Sequence, residues 1–444
     1  MKKKISGVAL TLILLILLTI GAYYLFNRRS ASDFFPQDTV AFAKVRSFKS
    51  FLKLDSPLVD RYAGEFKKKK WIRWLPDKDF YLAMDQDKNT YIFIELSFLA
   101  PLFSSLGPVE GNVLCITTNK DYVMTGGYIG SHREETGKLK GRGDARFVLK
   151  RPEMFLKEEE LGEALWGEVG VLSRHNALKI SYHMKNPIGE AAQHTRAEKC
   201  LALVPSDSDF LLKVNMADFE AHYARIRKMF QRSAPFQKFL ETRRRIYEKT
   251  GIDIEKQIMP LLEAGAVIGA RDVDDYFAVM EKEAGLKEMG RIAGELEKRY
   301  PVEFREDDFD GLRAWTVDVT GIAGLIVKNL FKEKWEEMKK PFYYARWDFL
   351  LFFDSLHSLK VYNRGLETGI LPSSRAGDFV RGLIYRSSHI SLYMDSLYLN
   401  EVYKNEGVYA NFSRLFFSAD FNRDTIDGEV VIKLKRNSQL EEDL

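Results

Sequence analysis

Two short stretches contain residue types that serine acyl-transfer enzymes use for catalysis. Ser50 and Lys53 match the S-x-x-K pattern, in which a nearby base activates a serine nucleophile, and Lys249-Thr-Gly251 matches the K-T-G pattern of the same enzymes. The S-x-N element that belongs between them is absent from that interval, and Lys249 is expected at the end of a helix rather than on a strand. The two matches therefore do not predict an active site.

Other catalytic signatures are also missing from the sequence. No G-x-S-x-G or phosphate-binding loop occurs, and the seven histidines show neither H-x-x-x-H nor H-E-x-x-H spacing. The acidic groups at 272–275 and 306–308 are expected at turns and lack the calcium-loop pattern. His175 and His183, which flank a predicted hairpin, are expected on the solvated surface. The sequence thus predicts no catalytic residue, no cofactor-binding residue and no metal ligand.

One basic segment has the composition of a surface that contacts lipid headgroups. It consists of Lys67, Lys68, Lys69, Lys70 and Trp71. Lysine beside tryptophan suits an anionic membrane surface. The alternative is a solvated helix end in which the tryptophans of this stretch face the core, and the sequence leaves both interpretations open.

Composition places the chain among folded globular proteins. It has 444 residues, of which 45% are hydrophobic and 29% charged, so two domains are expected rather than one. A net charge of +4 is too small for this length to indicate nucleic-acid binding. Cys115 and Cys200 both lie in apolar runs typical of strands. They are expected to be buried small hydrophobes or, in an oxidising compartment, a disulfide.

The N-terminal region predicts a membrane anchor. No charged residue occurs between Ile5 and Phe26, and about 20 apolar residues suffice to cross a bilayer as a helix. A cleaved signal peptide is the alternative, although its apolar core is usually shorter. The short lysine-rich tail favours an N-terminus inside the cell. We therefore expect a single-pass protein of the bacterial inner membrane, with residues 5–26 in the lipid bilayer and the bulk of the chain exported.

The chain opens in the same way twice. Residues 35–45 read FPQDTVAFAKV and residues 204–214 read VPSDSDFLLKV, and both contain Pro-x-Asp, five residues, then Lys-Val. Each half also ends on a strand that alternates apolar and polar residues. The polar stretch 186–199 separates the halves. The predicted fold class is α+β: a transmembrane helix followed by two diverged copies of an antiparallel sheet with helices, with boundaries at 1–30, 31–190 and 200–444.

This layout resembles a loosely defined set of bacterial membrane-anchored envelope proteins known only as a domain of unknown function. The residues that carry the resemblance are the apolar N-terminus, the two Pro-x-Asp strand openings and the segment TGIDIEKQIMPLLEAGAVIGA at 250–270. The resemblance implies an extracytoplasmic α+β protein. It brings no catalytic residues with it.

Two functions remain open at this point. The first is an envelope protein whose exported domains bind a protein or lipid partner without catalysis, as a binding or scaffold module. The second is an envelope enzyme, hydrolase-like, whose active site is assembled from distant positions. A strongly perturbed carboxylate or histidine in a deep pocket would favour the enzyme, and a long apolar groove would favour lipid binding.

Overall fold

A computed structural model describes the chain at the following residues: 30–46, 53–56, 79–96, 104, 107–110, 112–124, 143–151, 165–186, 189–195, 197–217, 219–230, 237, 240–241, 243–244, 247–248, 253, 255–256, 262–263, 265–271, 275–309, 312–321, 342–369, 379–403 and 411–436. These residues form two compact units: residues 55–56 and all described residues from Leu172 onward belong to the second, and the others belong to the first. Eighteen strands lie in this described part, and all their pairings given below are antiparallel.

The first unit is an antiparallel sheet built around the first Pro-x-Asp strand. Its strands are β1 (Thr39–Val45), β2 (Phe80–Asp85), β3 (Thr90–Glu95), β4 (Val109–Glu110), β5 (Val113–Thr117), β6 (Ala145–Leu149) and β7 (Leu165–Leu172). They are ordered β7-β6-β1-β2-β3-β5-β4 across the sheet. One face holds a core of aromatic and small side chains that includes Phe42, Phe93 and Cys115.

The second unit contains a wider sheet built around the second Pro-x-Asp strand. Its strands are β8 (Ala177–Lys185), β9 (Phe210–Val214), β10 (Ala266–Ala270), β11 (Tyr276–Glu281), β12 (Val302–Phe309), β13 (Leu312–Val319), β14 (Phe342–Arg346), β15 (Phe349–Phe353), β16 (Ile390–Asp395), β17 (Phe412–Phe421) and β18 (Thr425–Leu434). Their order is β8-β18-β17-β16-β9-β10-β11-β15-β14-β13-β12.

Helices cover parts of both faces of this wider sheet. They are α1 (Ala197–Cys200), α2 (Phe219–Phe230), α3 (Lys282–Arg299), α4 (Leu356–Thr368), α5 (Phe379–Gly382) and α6 (Ser396–Tyr403). α3 packs Met289 and Ile292 against β11 and β15 on one face, and α4 packs Leu359 and Tyr362 on the other. Because both faces of β11 are covered, its sequence is continuously apolar from Phe277 to Met280.

The repeated Pro-x-Asp motif corresponds to the same local structure in both places. In each case a 3₁₀ turn precedes the proline, and the proline carbonyl then accepts two hydrogen bonds from the residue three positions on. Thr39 donates from its amide at 3.1 Å and from its hydroxyl at 2.6 Å to Pro36, and Ser208 donates at 3.3 and 2.9 Å to Pro205. The motif is therefore a turn that leads into a central strand.

Several local predictions are confirmed. The alternating stretch at 177–185 is β8, the pattern at 219–230 is α2, and the hairpins predicted near 80–95, 266–281 and 302–319 all form. Two local predictions are wrong. Cys200 lies in α1 rather than on a strand, and the acidic group at 306–308 lies within β12 rather than at a turn.

The predicted fold class is wrong. The described residues are dominated by antiparallel sheet with few helices, mostly short, so the α+β description gave the helices too much weight. Aromatic runs such as 349–353 and 412–421 form strands, as β-propensity favours. No helix in the described ranges is both long and apolar enough to cross a bilayer. The expected membrane protein with a transmembrane signal-anchor helix is corrected accordingly, and residues 5–26, on which it rested, lie outside the described residues.

Candidate functional site

Polar side chains gather at one end of the central strands of the second unit. Lys213 lies near the end of β9, opposite Ser391 of β16 and Val267 of β10. The side chains around it come from α1, from β17, from the residues next to the ends of β9 and β16, and from the segment 189–195 that precedes α1. The strand-end cluster consists of Lys213, Asn215, His194, Glu198, His389 and Asp420.

Lys213 is the most deeply buried charged residue of the cluster. Its side chain is 0% exposed, and its Nζ donates to the carbonyl oxygens of Ile384 at 2.8 Å and Arg386 at 2.5 Å. These carbonyls end the 3₁₀ turn that follows α5, where a helical segment leaves acceptors unpaired and favours a cation. Burial lowers the pKa of Lys213 to about 8, although the carboxylates of Glu198 and Asp420 oppose this shift. The hydrogen bonds of Lys213 therefore hold the 3₁₀ turn at 383–385 against β9.

The two histidines of the cluster stack on each other. The ring centroids of His194 and His389 lie 3.9 Å apart with 11° between the planes. His389 is buried, its Nδ1 accepts from the amide of Phe421 at 3.2 Å, and its Nε2 lies 3.0 Å from the carbonyl oxygen of Ala192. Partial burial and the neighbouring His389 hold the pKa of His194 below its usual range, against the pull of Asp420.

The cluster includes a donor set of the kind that binds zinc, but its geometry does not fit a metal ion. One ligand atom from each of His194, His389 and Asp420 lies within 4.8 Å of the others. Imidazole binds a metal through a lone pair in the ring plane at about 2.0–2.1 Å. Lone pairs of two nearly parallel, stacked rings do not converge on one point. Both nitrogens of His389 also engage backbone groups, and the ammonium of Lys213 lies nearby.

A histidine–aspartate pair links β8 and β18. His183 and Asp427 are direct cross-strand partners, and Nδ1 of His183 lies 2.5 Å from Oδ1 of Asp427. Burial alone would raise the pKa of Asp427, but hydrogen bonds from His183, Thr425 and Asn422 hold it below its usual range. His183 was expected to be solvated and is instead half-buried and paired. Sequence reasoning missed this contact because its two residues are 244 positions apart.

The remaining sequence-level candidates contribute little to a catalytic site. Cys115 and Cys200 are both free thiols in buried positions, and burial raises the pKa of each to about 12. Such thiols are not nucleophiles at neutral pH. The basic segment Lys67–Lys70 with Trp71 lies outside the described residues, as do Ser50 and Lys249.

Each unit also carries a row of apolar side chains on the face opposite its main core. In the first unit, five cross-strand neighbours form the row: Phe147, Ala43, Leu82, Ile92 and Ile116. In the second unit six do: Ile180, Val430, Phe417, Leu392, Leu212 and Ile268. None of these eleven side chains is fully buried, and Leu82 is 37% exposed.

The opposite faces of the same strands are buried to a different degree. In the second unit, Leu211, Tyr393 and Phe416 form a cross-strand row that is completely buried. An antiparallel sheet with one packed face usually presents polar residues on the other. In the second unit, α3 already covers this face at Ile268. Where such a face is apolar and still partly exposed, it is typical of a binding surface.

Comparison with known proteins found no match of this chain to any protein family, to any curated protein or to any solved structure. The resemblance to envelope proteins of unknown function therefore stays a prediction.

Proposed function

We propose that this protein is a non-catalytic binding module that holds the acyl chain of a lipid on the apolar rows of its sheets. The observation that carries the proposal is the partial exposure of both rows, and above all of Leu82, which lies between Ala43 and Ile92 on a strand with neighbours on both sides. An exposed leucine in the middle of a sheet stays in water unless a ligand covers it.

The chemistry of the rows favours a lipid over a protein partner. The eleven side chains contain no hydrogen-bonding group, whereas protein interfaces carry about ten hydrogen bonds and are enriched in tyrosine, tryptophan and arginine. Their length also fits. Strands lie about 4.8 Å apart, so five strands span roughly 19 Å and six roughly 24 Å. One acyl chain covers half of a bilayer core, roughly 15 Å, and is therefore shorter than either row, including the second row without its Ile268 end, which packs against the α3 cluster.

The proposal is tested by titrating the delipidated full chain with saturated fatty acids of increasing length, using displacement of a fluorescent fatty acid as the signal. Burial of each additional CH₂ group contributes about 0.8 kcal/mol, so affinity should rise up to about fourfold per methylene from octanoate to dodecanoate. Leu82→Gln and Leu392→Gln should each weaken binding, because each places an amide in its row.

Leu397→Gln is the matched control. Leu397 lies on α6, outside both rows, and is 62% exposed, so its replacement removes an exposed leucine without changing a row. The proposal is wrong if affinity does not depend on chain length, or if both row variants bind as tightly as the Leu397 variant. If the chain binds no fatty acid but binds a protein partner, and Leu82→Gln abolishes that binding, the ligand of the row is a protein and not a lipid.

One observation favours the second function, a hydrolase. The His183–Asp427 pair has the geometry of the histidine and carboxylate of a catalytic triad. If the pair is catalytic, the protein should hydrolyse an activated ester, and His183→Gln should reduce the rate by about a hundredfold or more. Equal rates for wild type and variant would exclude the His183–Asp427 pair as catalytic residues, and no hydrolysis by the wild type would leave the hydrolase without support.

The expected location in the bacterial cell envelope stays a prediction. Alkaline phosphatase fused after Leu444 should be active if the C-terminus is exported, and an inactive fusion would contradict that location.

A further inference from the structure

Six strands of each unit are paired in the same order. Across the first unit this order is β7-β6-β1-β2-β3-β5, and across the second it is β17-β16-β9-β10-β11-β15. The strand that follows the Pro-x-Asp turn, β1 or β9, is the third in both. Each position on these strands of one unit therefore has a counterpart in the other unit.

The register of the paired strands is also the same. Alignment of the two Pro-x-Asp motifs places Ala43 on Leu212, and the cross-strand partners of these two residues then correspond one by one. The corresponding pairs are Phe147 and Leu392, Leu82 and Ile268, Ile92 and Ala278, and Ile116 and Phe352. The surroundings of each member of the first apolar row can therefore be compared with those of its counterpart.

In the second unit, α3 covers three of the corresponding positions. Ile268 and Phe352 pack against a cluster in which Ala278 lies together with Met289 and Ile292 of α3. Ala278 is only 9% exposed as a result. The side chains that α3 contributes to this packing are all apolar: Met289, Ile292, Ala293 and Leu296. This face of the sheet is therefore covered by an apolar body that belongs to the same chain.

In the first unit, the corresponding face is open to water. Leu82 is 37% exposed, and Ile92 is also partly exposed. Ile116 packs against the small cluster of Leu96 and Leu114, so the open part of the face is centred on Leu82 and Ile92. Covering such side chains with an apolar ligand is favourable, because it removes apolar surface from water.

We infer that the acyl chain of the ligand lies over β2 and β3 of the first unit, at the position that α3 occupies on β10, β11 and β15 of the second. In this arrangement α3 is a covalently attached occupant, and it excludes a ligand from that part of the second unit. The inference rests on the proposed function for the nature of the ligand. It adds where an acyl chain binds and where it is excluded.

Photolabelling of the delipidated full chain locates the bound acyl chain. The probe is palmitate with a diazirine on its acyl chain, which loses N₂ on irradiation and leaves a carbene that inserts into a neighbouring C–H or O–H bond. Peptide mass spectrometry then identifies the labelled residues. We expect labelling of β2 and β3 that an excess of unlabelled palmitate displaces, and no labelling of β10, β11 or β15, because α3 covers them.

Two substitutions at corresponding positions separate ligand contact from packing. Leu82→Gln places an amide where the acyl chain should lie, so it should reduce the labelling of β2 and β3 by about tenfold. Its urea midpoint should stay close to that of the wild type, because Leu82 already faces water. Ile268→Gln places the same amide beneath α3, so it should lower the urea midpoint and leave the labelling of β2 and β3 unchanged. Ile268→Ala replaces it if the glutamine variant does not fold.

The outcomes distinguish this inference from the proposed function. If palmitate displaces no labelling anywhere in the chain, the proposed function is wrong. If the displaceable labelling misses β2 and β3, or also reaches β10, β11 or β15 in the wild type, the inference is overturned while the proposed function stands. The inference also fails if Leu82→Gln lowers the urea midpoint as far as the Ile268 variant does, because Leu82 would then be packed as its counterpart is.

Discussion

Replacing the buried lysine tests the electrostatics of the strand-end cluster. Lys213 is fully buried, and burial lowers its pKa to about 8 from the ordinary 10.5. A difference of about 2.5 in pKa, at about 1.4 kcal/mol for each unit, corresponds to about 3 kcal/mol. That is the free energy by which the folded state disfavours the ammonium form relative to the unfolded chain. Lys213→Met removes the charge and keeps a side chain of similar length.

The sign of the pH effect follows from proton binding. Because the folded pKa is depressed, the unfolded chain binds more protons between pH 8 and pH 10.5, and the contribution of Lys213 to stability rises with pH in that window. The neutral amine still donates to the carbonyl of Ile384, which methionine cannot do. We therefore expect the stability advantage of the wild type over Lys213→Met to grow by about 3 kcal/mol from pH 7.5 to pH 10.5.

Urea denaturation of both proteins across this pH range measures the difference. Subtracting the two curves cancels the titration of groups that they share, including the tyrosines. Lys44→Met is the matched control because Lys44 occupies the same position of the motif in β1, but is partly exposed and pairs with Asp79 at 2.6 Å. Burial alone would lower the pKa of Lys44, but Asp79 and Tyr81 raise it above 10.5, so its variant should show no such growth.

A constant free-energy difference between the wild type and Lys213→Met from pH 7.5 to pH 10.5 would refute the reasoning, since it would mean that the lysine titrates alike in the folded and unfolded chain. The same growth in Lys44→Met would also refute it. The effect would then belong to the lysine of the motif in general, and not to the carbonyl-lined environment of Lys213.

Two further predictions concern stability and reactivity. Asn176 has a positive φ of 50°, and its buried side chain hydrogen-bonds to the amide and the carbonyl of Asp55 and to the carbonyl of Leu434. Asn176→Ala should therefore lower the free energy of unfolding by about 4 kcal/mol in urea denaturation, and Asn176→Gly by about 1 kcal/mol less, because glycine adopts positive φ without strain. Equal losses in the two variants would contradict the role of the backbone angle. Cys115 and Cys200 are buried thiols, and burial raises the pKa of each to about 12. Ellman's reagent at pH 8 should therefore modify neither thiol in the folded protein and both thiols in urea. Rapid modification of the folded protein would contradict their burial.

Sequence patterns predicted those elements whose stabilising contacts are local. The alternation in β8 and the helical spacing in α2 arise from one buried face and are visible within ten or so residues. The pairing of β12 with β13 is equally local, since the two strands are neighbours in the chain and Phe309 pairs with Leu312. What these patterns do not contain is the order of strands in a sheet, which depends on pairings such as that of β8 with β18.

The candidate sites were hidden for the same reason. Lys213 reaches a carbonyl 171 residues away, and His183 reaches a carboxylate 244 residues away. Sequence signatures of metal and catalytic sites cannot detect such contacts, because they are fixed spacings between residues on one helix or loop. The apolar rows were hidden in another way: a half-buried leucine such as Leu392 has the same sequence signal as a core leucine, and only the register of five or six strands aligns such residues.

The two lysines of the repeated motif show what the motif determines and what it does not. Lys44 and Lys213 follow the same turn and lie at the same position of a central strand. Lys44 meets a carboxylate, Asp79, and the carboxylate outweighs burial, so its pKa rises. Lys213 meets backbone carbonyls that end a 3₁₀ turn, with Glu198 at 3.9 Å, and burial prevails, so its pKa falls. Since the backbone is alike and the chemistry opposite, the function of either unit must be sought in the elements that cover the strand and not in the motif itself.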